Sequence, residues 1–493
     1  MDTLNRRSFL KTSVLLSAAF VSGGCARSRA AGSSTRVPRR PNIVFIMADD
    51  MGYGDPGCFN PHSKTPTPAI DRLAREGVRF TDAHAPGAWC VPSRYGLLTG
   101  RYPFRTTLDV THSIIENGRM TIASLLKQNG YHTACIGKWH LGLEGEAEKL
   151  DFSKPMRGGP IDHGFDYFFG MHASLDIPPY YYIENDRCVA APAEHIQASS
   201  SPNVTPVQGA FWREGGIAPG FKHEDVLPLF TEKVTGFIRE HRAQQGNAPF
   251  FVYFALAAPH TPWLPTGSFK GMSGCGDYGD FVAQVDSAVE TVLKTLEELE
   301  LEENTLVIFT SDNGPVWFAA DVARYGHRST GLLRGMKSDS YEGGHRMPFV
   351  ARWPNIIPQG SVSNELICFT DMLATFAAIV GTELPQNAGE DSYNVLPAML
   401  GEPCEGGIRE ALVAHLSIRQ GDWKLIFGDG EGNLSRRYGG GEPRNPRQIP
   451  GELFNLAEDI GETTNLYESN PEIVAHLSKL MDKYREEGRS VAR

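Results

Sequence analysis

The stretch CVPSR, Cys90 to Arg94, puts a lone thiol two residues before a proline, beside an arginine, where a helix can begin. None of the eight cysteines forms a CxxC pair or stands at zinc spacing with histidine, so Cys90 has neither a partner thiol nor a zinc-type setting. Other polar residues with chemical potential close apolar runs. PNIVFIMADD ends in Asp49 and Asp50, TLVIFTSDNG ends in Asp312 and Asn313, YHTACIGKWHLG leads to Lys138 and His140, and PFFVYFALAAPHTPW leads to His260. Singly, each has a structural account. Paired aspartates and SDNG suit turns, an isolated histidine suits a buried hydrogen bond, and an isolated cysteine suits a core. Together they read as one edge carrying one chemistry.

That edge is a matter of fold. Apolar runs of this kind are strands buried on both faces of an α/β sheet, and ligands bind outside the carboxyl ends of such strands. Helices alternate with them. Thr67 and Pro68 open one whose apolar stripe is Ile70, Leu73 and Ala74 and which Gly77 ends. Asp280 to Leu301 forms a long amphipathic helix. The composition shifts near Gly381 to Asn394, a linker region, after which REALVAHLSIRQGDWKLIFGDG reads as antiparallel strands, RRYGGGEPRNPRQIP as a loop and PEIVAHLSKLMDKYREEG as a closing helix. The expected organisation is a signal and linker over 1–40, a catalytic domain over 41–385 and an α+β subdomain over 386–493.

The chain has 493 residues and a formal charge of −11. The first forty residues carry eight Lys/Arg against one acid, so the remainder stands near −18. This argues against nucleic acid as a partner, and an anionic substrate needs a local positive island. Asn5 to Lys11, NRRSFLK, reads as a twin-arginine signal followed by a short apolar run, Val14 to Val21. Export to the periplasm or the exterior is expected. Cys25, after small residues, is a candidate lipid anchor that would tether the protein to a membrane. The cysteines are too sparse for a disulfide scaffold, though one or two bridges are compatible with their number.

Cys90-Val91-Pro92-Ser93-Arg94 with Leu98-Thr99-Gly100-Arg101 resembles the signature of the type I sulfatases, in the alkaline-phosphatase-like superfamily. Asp49-Asp50 with MGYGD, then GKWHLG, APHTP, SDNGP, LLRGMKSDSYEGGHRMPFVARWP, GDWKLIF and ELFNLAEDIGETTNL follow in the family's order, over roughly residues 41–480. The resemblance implies a large domain with a mostly parallel mixed sheet flanked by helices, and a smaller C-terminal α+β domain with an antiparallel sheet. It also implies that a maturation enzyme, the formylglycine-generating enzyme, oxidises Cys90 to formylglycine. An aldehyde hydrate has two hydroxyls: one attacks sulfur, and the other loses a proton so that the hemiacetal collapses and expels sulfate. A serine or cysteine would be left as a stable adduct. Cys90 stands alone because it is raw material for an aldehyde.

By position in the family's motifs, Asp49, Asp50, Asp312 and Asn313, with the modified residue 90, are the expected ligands of one divalent cation. Oxygen donors of this kind suit Ca²⁺, with Mg²⁺ the alternative. Arg94 would hold the hydrate, Lys138 and Lys337 the sulfate oxygens. His140 would be the base that triggers collapse and His260 the acid that protonates the leaving alcohol. Ser174, in GMHASLD, matches a serine that contacts sulfate in some relatives. His345 departs from the aliphatic residue usual after YEGG and is either a structural histidine or a substrate contact at the pocket rim. The expected substrate is a sulfated carbohydrate rather than a small aryl sulfate, with the aromatic-rich stretch Asp162 to Arg187 either lining a sugar cleft or packing as an ordinary loop. Two alternatives compete. One is a phosphonate or phosphate ester hydrolase of the same superfamily; the other is a non-catalytic protein that binds sulfated glycans with Cys90 unmodified.

Overall fold

The computed structural model describes residues 40–203, 205–439 and 449–492. The export signal, the apolar run after it, Cys25 and most of the segment read as a loop near 440–448 lie outside the described residues.

Ten strands form one sheet, in the spatial order Ser361–Ser363, Val78–Phe80, Phe349–Arg352, Thr305–Ser311, Asn42–Ala48, Phe250–Ala255, His132–Lys138, Tyr167–Met171, Ile183–Glu184 and Arg187–Cys188. The five from Thr305–Ser311 to Tyr167–Met171 run parallel, and antiparallel strands flank them. The Asn42, Phe250 and Thr305 strands are buried throughout, as continuous runs of Val, Ile, Phe and Leu require when helices cover both faces. Because the five run parallel, their carboxyl ends share one edge. Asp49 and Asp50, Asp312 and Asn313, His260, Lys138 and His140, and Ser174 all lie at or just beyond those ends.

Two glycines allow the strands to close up at this edge. Gly137 has φ +124°, and a Cβ there would fall 1.8 Å from the Ala255 carbonyl oxygen; a Cβ on Gly170 would fall 1.8 Å from that of Gly137. Any larger residue would push apart the strands flanking Lys138.

The helix Pro68–Glu76 buries Ala69, Ile70, Leu73 and Ala74 and ends at Gly77, as its sequence predicts. Gly276–Glu298 begins four residues before the expected start, and Asp280, inside its first turns, accepts from the amides of Gly271 and Ser273. A twenty-residue helix, Val226–Gln245, went unassigned in the sequence reading; its buried face is Val226, Leu227, Phe230, Val234, Phe237, Ile238 and His241.

Leu412–Ala414, Ser417–Gln420, Trp423–Phe427 and Gly451–Asn455 form the expected antiparallel sheet, and the helix Pro471–Glu486 buries Leu477, Leu480, Met481 and Tyr484. Their apolar cluster includes Tyr102 and Cys368, so this sheet packs on the larger part of the molecule. A short helix, Asn433–Tyr438, occupies the start of the segment read as a loop. The seven described cysteines are all free, so no disulfide joins them.

Candidate active site

Cys90 is the first residue of the helix Cys90–Thr99, which is buried along its whole length and ends at Gly100 in the left-handed conformation. Pro92 sits in the first turn, where its missing N–H costs nothing. The free amides of a helix start and the positive end of its dipole therefore point where Cys90 stands. Around the thiol, Asp49 Oδ1 lies 3.4 Å from Sγ, Lys138 Nζ 3.1 Å and Lys337 Nζ 3.8 Å. Burial pushes the thiol up further than the two lysines pull it down. Unmodified, Cys90 stays a protonated, unreactive thiol near neutral pH.

The lysines are fixed by the carboxylates. Lys138 Nζ donates to Asp49 Oδ2 at 2.7 Å, and Lys337 Nζ reaches Asp50 Oδ1 at 2.7 Å. Lys337 comes from a loop tied by Lys337 N to the Pro315 carbonyl and by Ser338 N to the Ala88 carbonyl, beside Cys90 itself. Burial works to raise Asp49, but Lys138, His260, Arg94 and Lys337 outweigh it and hold the carboxyl well below its ordinary range. Arg94 is wholly buried. Its Nη2 and Nε donate to Asp312 Oδ2 at 2.8 and 3.1 Å and its Nη1 to the Lys138 carbonyl at 3.0 Å. The guanidinium thus neutralises a carboxylate and pins the Cys90 helix to two strand ends. Burial and the neighbouring Asp49 still push Asp312 up to about 6.

His260 turns Nε2 toward Asp50 Oδ2, 3.5 Å away, while Nδ1 donates to the Thr261 carbonyl at 2.6 Å. His140 is half-buried and its Nδ1 has no hydrogen-bond partner among the described residues. Burial, then Lys138 and Arg94, hold its imidazole well below the usual histidine value, so it is neutral near neutral pH. Asp50 and His140 both have positive φ, 65° and 55°. Such conformations are costly for residues with a Cβ and concentrate where side chains must be aimed.

A divalent cation fits these residues. Ligand atoms of Asp49, Asp50, Cys90 and His260 lie within 4.8 Å of one another. Asn313 lies beside them, its Nδ2 bonded to Asp50 Oδ1 at 2.7 Å and its Oδ1 buried with no partner among the described residues. An orphaned carbonyl oxygen among buried carboxylates is the donor set of a hard cation.

Ser174 is buried just past the Tyr167–Met171 strand, and its Oγ has no partner among the described residues. His345 is not at a pocket rim. It is 1 % exposed, with Nδ1 2.9 Å from His84 Nδ1 and Nε2 3.1 Å from Lys424 Nζ, in a buried network with Glu342 and Glu462. Its nitrogens are used up in joining the short strand Ala83–His84 to the C-terminal sheet, so the substrate-contact reading is corrected to the structural one. Nor do the aromatics of 162–187 line a cleft as a group: Tyr180 and Tyr181 are fully buried, packed on His223 and Phe152. A cavity of about 280 Å³ opens instead between His140, His172, Leu143, Ile177 and Pro178. A larger one, about 770 Å³, lies on Tyr53, Phe59 and Leu332 and contains none of the residues above.

Sequence reasoning missed Asp176 and Arg213. Asp176 is buried beyond the same strand end, Oδ1 3.9 Å from His260 Nδ1, and is gripped by the Arg213 guanidinium. The available signal was an aspartate two residues after Ser174, but nothing local tied it to His260.

The sulfatase family model matches residues 41–382. The chain is 34% identical over 489 residues to an N-acetylgalactosamine-6-O-sulfatase of Bacteroides thetaiotaomicron, covering 91% of this chain and 93% of that protein. It is 37% identical over 373 residues to human arylsulfatase A, covering 74% and 69%. A solved sulfatase structure from a Bacteroides thetaiotaomicron locus for metabolism of multiple glycosaminoglycans superposes with TM-score 0.79 at 33% identity, covering 91% of this chain and all of that one. The fold is alkaline-phosphatase-like, and the chain belongs to the sulfatase family, the hydrolases of sulfuric esters.

Proposed function

We propose that this sulfatase removes sulfate from a sulfated carbohydrate, N-acetylgalactosamine 6-sulfate being the substrate for which several of its relatives are named, by way of formylglycine at position 90. The observation that carries the reading is Cys90 itself, at the head of a buried helix with Lys138 and Lys337 within 3.1 and 3.8 Å. Those ammonium groups are the positive island that a chain of net charge −11 needs to receive an anion.

Asp49, Asp50, Asp312 and Asn313 would hold the cation, Ca²⁺ by the hardness of the donors. The cation and the aldehyde hydrate at residue 90 would supply a polarised sulfuryl oxygen and an oxygen nucleophile whose second hydroxyl discharges the product. Lys138 and Lys337 bind sulfate oxygens. Arg94 balances the carboxylates, a role its hydrogen bonds support better than direct contact with substrate. His260 keeps its Nδ1 proton on the Thr261 carbonyl and gives the proton at Nε2 to the leaving alcohol. His140, neutral, takes the proton that releases sulfate. Ser174 Oγ donates to a sulfate oxygen. The cavity beside His140 receives the alcohol part of the ester. The NRRSFLK motif supports twin-arginine export, with Cys25 as a lipid anchor. The boundary between catalytic and C-terminal domains falls at 385/386.

The test is a panel of esters given to the matured protein: N-acetylgalactosamine 6-sulfate, its 4-sulfate isomer, 4-nitrophenyl sulfate, and phosphate and phosphonate analogues. Preference for the 6-sulfate supports the reading. Faster phosphonate or phosphate turnover replaces it with the other esterase activity, and binding without turnover with a glycan-binding role.

A further inference from the structure

The Asp176 carboxylate has no task in the account so far, and its surroundings are unusual. Oδ1 is buried with no hydrogen-bond partner among the described residues. The other oxygen, Oδ2, is held by Arg213 Nη1, which also donates to the Asp176 carbonyl at 3.0 Å. The Arg213 amide bonds to that carbonyl too, at 3.3 Å. The clamp therefore fixes both backbone and side chain of Asp176. Arg213 itself is anchored, since its carbonyl accepts from Tyr180 Oη at 2.7 Å. The same loop meets the His260 segment, where Thr261 Oγ1 donates to the Gly209 carbonyl at 3.0 Å and Trp263 N to the same oxygen at 2.8 Å.

The clamped carboxylate lies on one side of the His260 ring. Oδ1 stands 3.9 Å from Nδ1, while Nε2 faces the opposite way, toward Asp50. An imidazole flanked by a carbonyl and a carboxylate on its Nδ1 side is held in one orientation, with Nδ1–H directed to the carbonyl and Nε2 turned to the reaction. Leaving a buried carboxylate oxygen unpaired is costly, and a site that does so draws on it for function.

We propose that Asp176 is a positioning residue for His260, clamped by Arg213, and that it aims Nε2–H at the oxygen of the leaving alcohol. The proposal rests on the reading of His260 as the acid. In the step it serves, the deprotonated hydrate oxygen of residue 90 bonds to sulfur as the ester S–O bond breaks, the electron pair of the broken bond going to the alcohol oxygen. That oxygen takes the proton from Nε2, and His260 is left neutral with its Nδ1 proton on the Thr261 carbonyl. Asp176 touches neither sulfate nor alcohol.

Proton delivery matters most when the alcohol is a poor leaving group. The experiment therefore compares N-acetylgalactosamine 6-sulfate with 4-nitrophenyl sulfate, using the matured protein and its Asp176→Asn, Asp176→Ala, Arg213→Ala and His260→Ala variants, each checked for folding by its thermal transition. Asp176→Ala is expected to lower kcat on the sugar sulfate by roughly 10- to 100-fold, the usual cost of losing such a supporting partner. KM should stay within about twofold and the loss on 4-nitrophenyl sulfate below about threefold, because that alcohol departs without a proton. Arg213→Ala should show the same pattern at smaller size, and Asp176→Asn keeps the shape should the alanine variant fail to fold. Equal losses on both esters, or a loss confined to KM, overturn the proposal. His260→Ala separates the two levels. If it shows no dependence on the leaving group, the acid assignment falls and the inference with it; if it does and the Asp176 variants do not, only the inference falls.

Discussion

Arg94→Met tests how the site is held together. The substitution keeps side-chain length and removes the charge. In the structure it removes two hydrogen bonds to Asp312, at 2.8 and 3.1 Å, and one to the Lys138 carbonyl, at 3.0 Å, from a side chain with no exposure. Breaking a buried pair by removing one partner costs about 3–5 kcal/mol. Asp312 limits the damage by taking up a proton, since burial and Asp49 already raise it to about 6. The expected loss is therefore near the lower end, about 3 kcal/mol. Removing both partners is milder than removing one, so Arg94→Met with Asp312→Asn should lose about 2 kcal/mol less than the sum of the single variants. Urea unfolding at pH 7 in the presence of a chelator measures this without a bound cation holding Asp312. A single variant within about 1 kcal/mol of the parent, or strictly additive variants, would refute the view that this pair ties the Cys90 helix to the sheet.

Three further outcomes are expected. Lys424→Met leaves Glu342 and Glu462 facing each other without the ammonium that stands 3.0 and 2.8 Å from them, and should cost about 3–5 kcal/mol by calorimetry; a loss under about 1 kcal/mol contradicts the network's role. Burial lowers His223 to about 4, so below the ordinary value of about 6.5 the unfolded chain takes up a proton that the native one refuses, and stability falls with pH until about 4. His223→Gln should flatten the stability curve in that window by about 3 kcal/mol, and an unchanged slope would show that His223 is not the source. Chelation should abolish turnover and added Ca²⁺ restore it better than Mg²⁺; full activity in excess chelator would remove the cation from the account.

The strands that carry the site were legible because each is a short apolar run closed by polar residues, a pattern that two-sided burial imposes. Asp49, Asp50, Lys138, Asp312 and Asn313 came with them, lying in or directly after the strands, while His260 follows its strand by a short loop. Asp176 and Arg213 were not legible, since the pair spans 37 positions and exists only once two irregular loops have met. His345 was ambiguous for the same reason: its partners His84 and Lys424 come from segments 261 and 79 positions away. The helix Val226–Gln245 was there to be read in its 3.6-residue periodicity; Pro228 near its start interrupts the pattern only where a proline is tolerated.

The central claim is that residue 90 works as an aldehyde, made from a thiol that stands at the head of a buried helix beside Lys138 and Lys337. Mass spectrometry of the tryptic peptide 80–94 from purified, active protein tests it directly. The account predicts a peptide in which the Cys90 thiol has been replaced by a carbonyl that reacts with hydrazine reagents. Fully active protein in which that peptide still carries an intact, alkylatable thiol would contradict it.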